Sequence, residues 1–168
     1  TDYIKDGENV VIVKVDNTVG KNDVPTANAD WWNYGGLTRS VCVIETPETF
    51  VREYTVGLKD GKYNLVGGNV KVDGAAGGEK VTVTIPELKV RKEIVVNADG
   101  YADFEFKAKP ELWDPSSPKL YDVEIACGGE VIADRIGFRT IEAKGNKMYL
   151  NGKEIFCRGV SVHEEMPY

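Results

Sequence analysis

Three stretches of this chain alternate apolar and polar residues with a period of two, and nothing else in it bounds the fold so tightly. In Lys80–Ile85, Val81, Val83 and Ile85 share one side, and Lys80, Thr82 and Thr84 share the other. In 101–108, Ala102, Phe104 and Phe106 alternate with Asp103, Glu105 and Lys107. In 120–127, Tyr121, Val123, Ile125 and Cys127 alternate with Asp122 and Glu124. Successive side chains leave a pleated backbone on opposite faces, so this period is the mark of a half-buried strand. Turn signals stand between these stretches: Asp60-Gly61, the glycine-rich Asp73–Glu79, Asp99-Gly100 and Gly128-Gly129. Further strands are expected over 50–59, 62–72, 91–97 and 131–136. About seven short strands with turns every ~8–12 residues between Pro47 and Ile141 predict an all-β chain built on an immunoglobulin-like β-sandwich. The Cys–Trp–Cys spacing of antibody domains is missing, so the architecture alone is claimed. No stretch has a helical period, and almost no helix is expected.

The flanks read differently. Residues 8–16 carry Val10, Val11, Ile12, Val13 and Val15, a β-branched run dense enough to predict a strand buried on both faces. A loop follows over 17–33, rich in Gly, Asn, Asp and Pro, and ends in Asp30-Trp31-Trp32-Asn33-Tyr34-Gly35-Gly36. Long loops often carry function. Indole rings beside carboxylates and carboxamides suit a sugar, whose apolar face stacks on the ring while its hydroxyls take hydrogen bonds. The same two tryptophans also suit the plug of a sandwich end. Residues 37–45 predict another strand, broken at Thr46-Pro47. Beyond the sandwich, Asn151-Gly152 between 147–150 and 153–156 is a hairpin signal, because a type I′ turn needs positive φ at both positions. An extended run over 156–162 then leads to His163-Glu164-Glu165.

That last cluster invites a catalytic reading, and its chemistry argues against one. Retaining glycosidases hold two carboxyls about 5–5.5 Å apart on one sugar. Adjacent residues of an extended segment, such as Glu164 and Glu165, point to opposite sides. His163 has the chemistry of a general base, but no Gly-x-Ser-x-Gly or similar nucleophile motif accompanies it. No phosphate-binding glycine loop and no His-Glu-x-x-His is present. Cys42, Cys127 and Cys157 are an odd, widely spaced set beside a single histidine. They read as small buried hydrophobes rather than as disulfides or zinc ligands. The net charge of −6 disfavours nucleic acid and anionic membrane surfaces as partners. No apolar run approaches the ~20 residues of a membrane helix. The start at Thr1 reads as an internal boundary or a processed end.

Four blocks, in order, resemble glycoside hydrolase family 2, the β-galactosidase, β-glucuronidase and β-mannosidase group. They are Asp30–Val41; Leu112-Trp113-Asp114-Pro115 with Pro118-Lys119-Leu120-Tyr121; Gly137-Phe138-Arg139-Thr140-Ile141; and Leu150–Val160 with His163-Glu164. The ending Gly159–Glu165 looks most like the β-galactosidase branch. The resemblance implies three parts. Residues 1–46 would be the last strands of a jelly-roll sugar-binding domain, 47–141 a complete sandwich, and 142–168 the lead-in hairpin and first strand of a (β/α)8 catalytic barrel.

By the same resemblance, Asp30, Trp32, His163 and Glu164 are the substrate-contacting candidates. Asp30 would also ligate a sodium ion, and sodium or magnesium would serve the parent enzyme. The family's acid/base lies in an Asn-Glu motif, and no Asn-Glu dipeptide occurs here. The chain is therefore expected to be a non-catalytic part of a retaining β-glycosidase, most like a β-galactosidase, whose partner is a β-galactoside. The family's polysaccharide-degrading roles point that parent to the periplasm or the exterior. The strands over 8–16 and 37–45 would leave open edges and an uncovered apolar face, so the first ~45 residues are expected to pair with each other on the sandwich, to self-associate with another copy of the chain, or to be poorly ordered. The competing reading is a free-standing carbohydrate-binding or adhesive sandwich that uses Trp31 and Trp32.

Overall fold

A computed structural model of the chain describes residues 3–24 and 34–161. These fall into two compact units, one drawn from 3–24, 34–44 and 160–161, the other spanning 45–159. The larger unit holds every strand assigned among the described residues: β1 (Phe50–Leu58), β2 (Leu65–Asp73), β3 (Lys80–Ile85), β4 (Val90–Val95), β5 (Tyr101–Lys107), β6 (Tyr121–Cys127) and β7 (Glu130–Ile136), followed by β8 (Ile141–Lys144), β9 (Lys147–Leu150) and β10 (Lys153–Ile155). Its one helical piece is a single 3₁₀ turn at Pro86–Leu88.

The strands form a three-stranded sheet in the order β1-β2-β5 and a four-stranded sheet in the order β4-β3-β6-β7, every neighbouring pair antiparallel. The chain changes sheets between β2 and β3, between β4 and β5, and between β5 and β6. This is the Greek-key connectivity of an immunoglobulin-like sandwich. The alternating residues supply its core. Val81, Val83 and Ile85 are fully buried, as are Val123 and Ile125 with Tyr121 and Cys127 beside them, facing Val66, Val70, Val72, Ala102 and Phe104 of the other sheet. Each fully buried aliphatic of this size stabilises by roughly 1.5–3 kcal/mol relative to exposure. No polar or charged residue among those described is buried in this core.

Two hydrogen bonds draw the open side together. The Val51 N–H donates to Glu130 Oε2 (3.0 Å), and the Tyr54 hydroxyl donates to Asp134 Oδ2 (2.7 Å). Each joins β1 of one sheet to β7 of the other. The Val51 bond also satisfies an edge amide that would otherwise be open to another strand.

β8, β9 and β10 make a separate three-stranded sheet in the order β10-β9-β8. Asn151 (φ 51°) and Gly152 (φ 75°) both take the left-handed conformation, as a type I′ turn requires. The alternation does not announce β8, whose four residues are mostly exposed.

Several expectations need correction. Among the described residues, neither 8–16 nor 37–45 enters a hydrogen-bonded ladder. The apolar run at 8–16 expected to be buried on both faces is exposed instead, Ile12 to 89%, and in 37–45 Val43 is exposed likewise. β-branched residues favour an extended backbone, but burial requires a covering surface, which propensity does not supply. The run over 156–162 forms no strand over its described part, 156–161, and Phe156 is exposed. Of the three cysteines only Cys127 is buried; Cys42 and Cys157 are exposed because neither sits on a paired strand.

Candidate functional site: the joint between sandwich and hairpin

The residues expected to contact sugar, Asp30, Trp32, His163 and Glu164, lie outside the described residues, as do Trp31 and Glu165. The sodium expected at Asp30 therefore lies outside them too. Among the described residues, no group of three or more His, Cys, Asp or Glu side chains is placed to hold a metal ion. What the fold does bring together is the other motif-bearing segments: the connector between β5 and β6, the segment between β7 and β8, and the β9–β10 turn.

The connector is fixed first. The Glu111 N–H donates to the Tyr121 hydroxyl oxygen (2.8 Å). A tyrosine near the start of this strand, bonded back to backbone a few residues upstream, is the tyrosine corner of immunoglobulin-like sandwiches. Downstream, Asp114 Oδ1 accepts from the N–H groups of Ser116 (2.7 Å) and Ser117 (3.0 Å) and closes a tight turn. These donors hold the Asp114 carboxyl below the usual aspartate range. Its charge is spent on shaping the loop, not kept for proton transfer.

The Trp113 N–H then donates to the Phe138 carbonyl (2.8 Å), tying the connector to the segment after β7. Phe138 is fully buried and meets Tyr121 edge-on, with ring centroids 5.4 Å apart. The Arg139 guanidinium stacks over the Trp113 ring at 5.0 Å. A Cβ on Gly137 would stand 2.9 Å from that ring, so the close packing requires glycine there.

Asn151 completes the joint. Its N–H donates to the Thr140 carbonyl (3.0 Å), its Oδ1 accepts from the Thr140 N–H (3.0 Å), and its Nδ2 donates to the Trp113 carbonyl (3.0 Å). One carboxamide in a left-handed turn thus bonds both other segments. Beside it lies a groove of about 430 Å³ lined by Leu112, Asp114, Pro115 and Ser116 on the connector and by Leu150 and Ile155 on the hairpin, among others. The arrangement is mechanical in its chemistry. It fixes the angle between sandwich and hairpin.

In the sequence Asn151 reads as a turn former and Tyr121 as a core residue, each within a family-like block, and neither reading gives the hydrogen bonds they make here. Asn is favoured at such turns for its tolerance of positive φ, and that tolerance says nothing about which carbonyl its side chain will meet.

The model of the family described as "Glycosyl hydrolases family 2" matches residues 52–139. A protein of Formosa agariphila, named provisionally as a β-glucuronidase, is 31% identical over 98% of this chain and 22% of its own length. The β-galactosidase of Staphylococcus xylosus is 27% identical over 99% of this chain and 17% of its own length. The apo structure of Bacteroides uniformis β-glucuronidase 3 superposes with a TM-score of 0.63 at 25% identity, covering 86% of this chain and 20% of that one. The chain thus spans about a fifth of the length of the relatives it matches.

Proposed function

The chain belongs to the glycosyl hydrolases of family 2, and from that premise we propose that it is the sandwich-centred part of a retaining β-glycosidase of the β-galactosidase type. The observation that carries this reading is the joint. Three of the four family-like blocks, around Trp113, Gly137–Thr140 and Asn151, converge on one hydrogen-bonded node that fixes how the chain leaves the sandwich. In this reading the sandwich spaces and orients a sugar-binding domain before it and a catalytic barrel after it, with boundaries near 46 and 142. Asp30, Trp32, His163 and Glu164 would meet the substrate, Asp30 would hold sodium, and other parts of the parent would supply both carboxylates. One of these would attack the anomeric carbon while the other protonates the leaving oxygen.

Galactose is favoured over glucuronic acid only on the ending Gly159–Glu165, which looks most like the β-galactosidase branch; relatives named for either sugar match nearly the whole chain. The 168-residue chain is expected to release no nitrophenol from nitrophenyl β-galactoside or β-glucuronide. Turnover abolished by Glu164→Gln or Glu165→Gln would overturn the reading. The aromatic pair favours a second reading, a free-standing carbohydrate-binding sandwich. Galactose or lactose binding in calorimetry, lost in Trp32→Ala, would support it.

A further inference from the structure

Beside the β1 and β7 edges of the sandwich lies a groove of about 480 Å³. It is lined by Val56, Gly57, Arg135, Ile136, Gly137, Arg139 and Ile141. Its lining is chemically one-sided. The polar side-chain atoms are all guanidinium donors, with no carboxylate, carboxamide or hydroxyl among them. In a chain of net charge −6, a groove with two arginines and no acid in its lining stands apart.

Neither guanidinium is saturated. Arg135 reaches an acid only through Nε, 3.7 Å from Asp122, with both side chains well exposed. Arg139 stacks on Trp113 and makes one long bond, Nη1 to the Gly137 carbonyl at 3.4 Å. Both forks keep spare N–H donors. The backbone adds another. The Lys59 N–H donates to the Leu65 carbonyl, so in the regular register of β1 the odd residues face β2, and Val56 turns its N–H to the open edge. On its other side Arg135 faces Asp122, its cross-strand partner, while Asp134 is committed to the Tyr54 hydroxyl and the Arg135 N–H, and Glu130 to the Val51 N–H.

We propose that this groove binds the oxyanion of an acidic sugar, with Arg135 and Arg139 as its charged donors. A lining of donors selects an acceptor-only group, and guanidinium forks match carboxylate and sulfate geometry. Val56, Ile136 and Ile141 supply apolar wall for the face of a sugar ring. The Val51–Glu130 and Tyr54–Asp134 bonds close the edge beyond the groove and leave no room for a long extended peptide along β1. That the anion is carried on a sugar rests on the glycosidase reading; the donor set itself does not.

The test is a titration of the ¹⁵N-labelled 168-residue chain with glucuronate and galacturonate, beside galactose 6-sulfate, neutral galactose and sodium acetate. The expected result is saturable shifts at the Val56, Gly57 and Gly137 amides and at both arginine Nε–H groups, weakened by added salt. Arg135→Gln, which leaves the Trp113 stack untouched, and Arg139→Lys, which keeps the charge but loses the fork, should each weaken binding by about tenfold or more. Binding of galactose 6-sulfate with the same losses supports the site and makes sulfate its anion. Trp32→Ala should leave the titration unchanged, which separates this groove from a sugar module built on the tryptophans. Absence of saturation with every acidic sugar, binding indifferent to both arginine substitutions, or acetate binding as well as the uronates would overturn the proposal. Glycosidase turnover by the chain would sink the preceding reading without touching this one.

Discussion

Asn151 holds a left-handed backbone and bonds two other segments at once, so its substitutions separate conformational from hydrogen-bond energy. Asn151→Gly keeps the turn and deletes the carboxamide, leaving the Thr140 N–H and Trp113 carbonyl with lost partners, a cost of about 1–3 kcal/mol. Asn151→Ala adds the strain of a positive φ, about 1 kcal/mol more. Urea denaturation of both variants checks the order; equal losses would mean the turn carries no strain. A second residue-level pair works through pH. Hydrogen bonding to Asp134 pushes the Tyr54 hydroxyl up to about 12, while the same bond pulls the Asp134 carboxyl below its ordinary value. A raised tyrosine stabilises fully below the unfolded value of ~10, and its contribution is lost as pH rises through the folded one. A depressed carboxyl stabilises above ~4, and its contribution is lost as pH falls through its folded value. Tyr54→Phe should therefore lower the melting temperature at neutral pH, and the gap to wild type should close at both extremes. A pH-independent gap would show that the hydroxyl acts through packing alone.

At the scale of elements, the connector between β5 and β6 is held at one end by the Tyr121 corner and at the other by the Trp113–Phe138 bond. Tyr121→Phe keeps the buried ring and orphans the Glu111 N–H, an expected loss of about 1–3 kcal/mol. Phe138→Ala empties a fully buried site and should cost about 3–5 kcal/mol. Chemical denaturation measures both, and a larger loss for Tyr121→Phe than for Phe138→Ala would contradict this ranking. The strands were legible where alternation was clean. Lys80–Ile85 matches its expected span, and Tyr121, Val123, Ile125 and Cys127 face the core as their spacing requires. The type I′ turn was legible because only a few residues tolerate positive φ. The joint was not, because Asn151, Thr140 and Trp113 are far apart in sequence and nothing local encodes their meeting. The strand readings at 8–16 and 37–45 failed for a related reason. Local propensity specifies an extended backbone, but a ladder needs a partner whose identity lies elsewhere. The sugar-contact candidates Asp30, Trp32, His163 and Glu164 stay outside the described residues, so their reading rests on the resemblance.

For the molecule as a whole, stability and solubility belong to different units. The buried core, the tyrosine corner and the joint all lie within 45–159. Residues 10–15 and 41–44 display Val10, Val11, Ile12, Val13, Val41, Val43 and Ile44 to solvent. Exposed apolar surface contributes nothing by burial and favours association. A chain shortened to 45–159 should therefore melt at nearly the temperature of the 168-residue chain. The longer chain should bind a hydrophobic dye and sediment as concentration-dependent oligomers, as the unpaired β-branched run predicts. Val11→Lys with Ile12→Lys in the 168-residue chain should restore a monomer without moving the melting temperature, since both side chains are exposed. If those substitutions instead destabilise the chain as core truncations do, the 8–16 segment is a structural part of the fold in solution, and the assignment of stability to 45–159 fails.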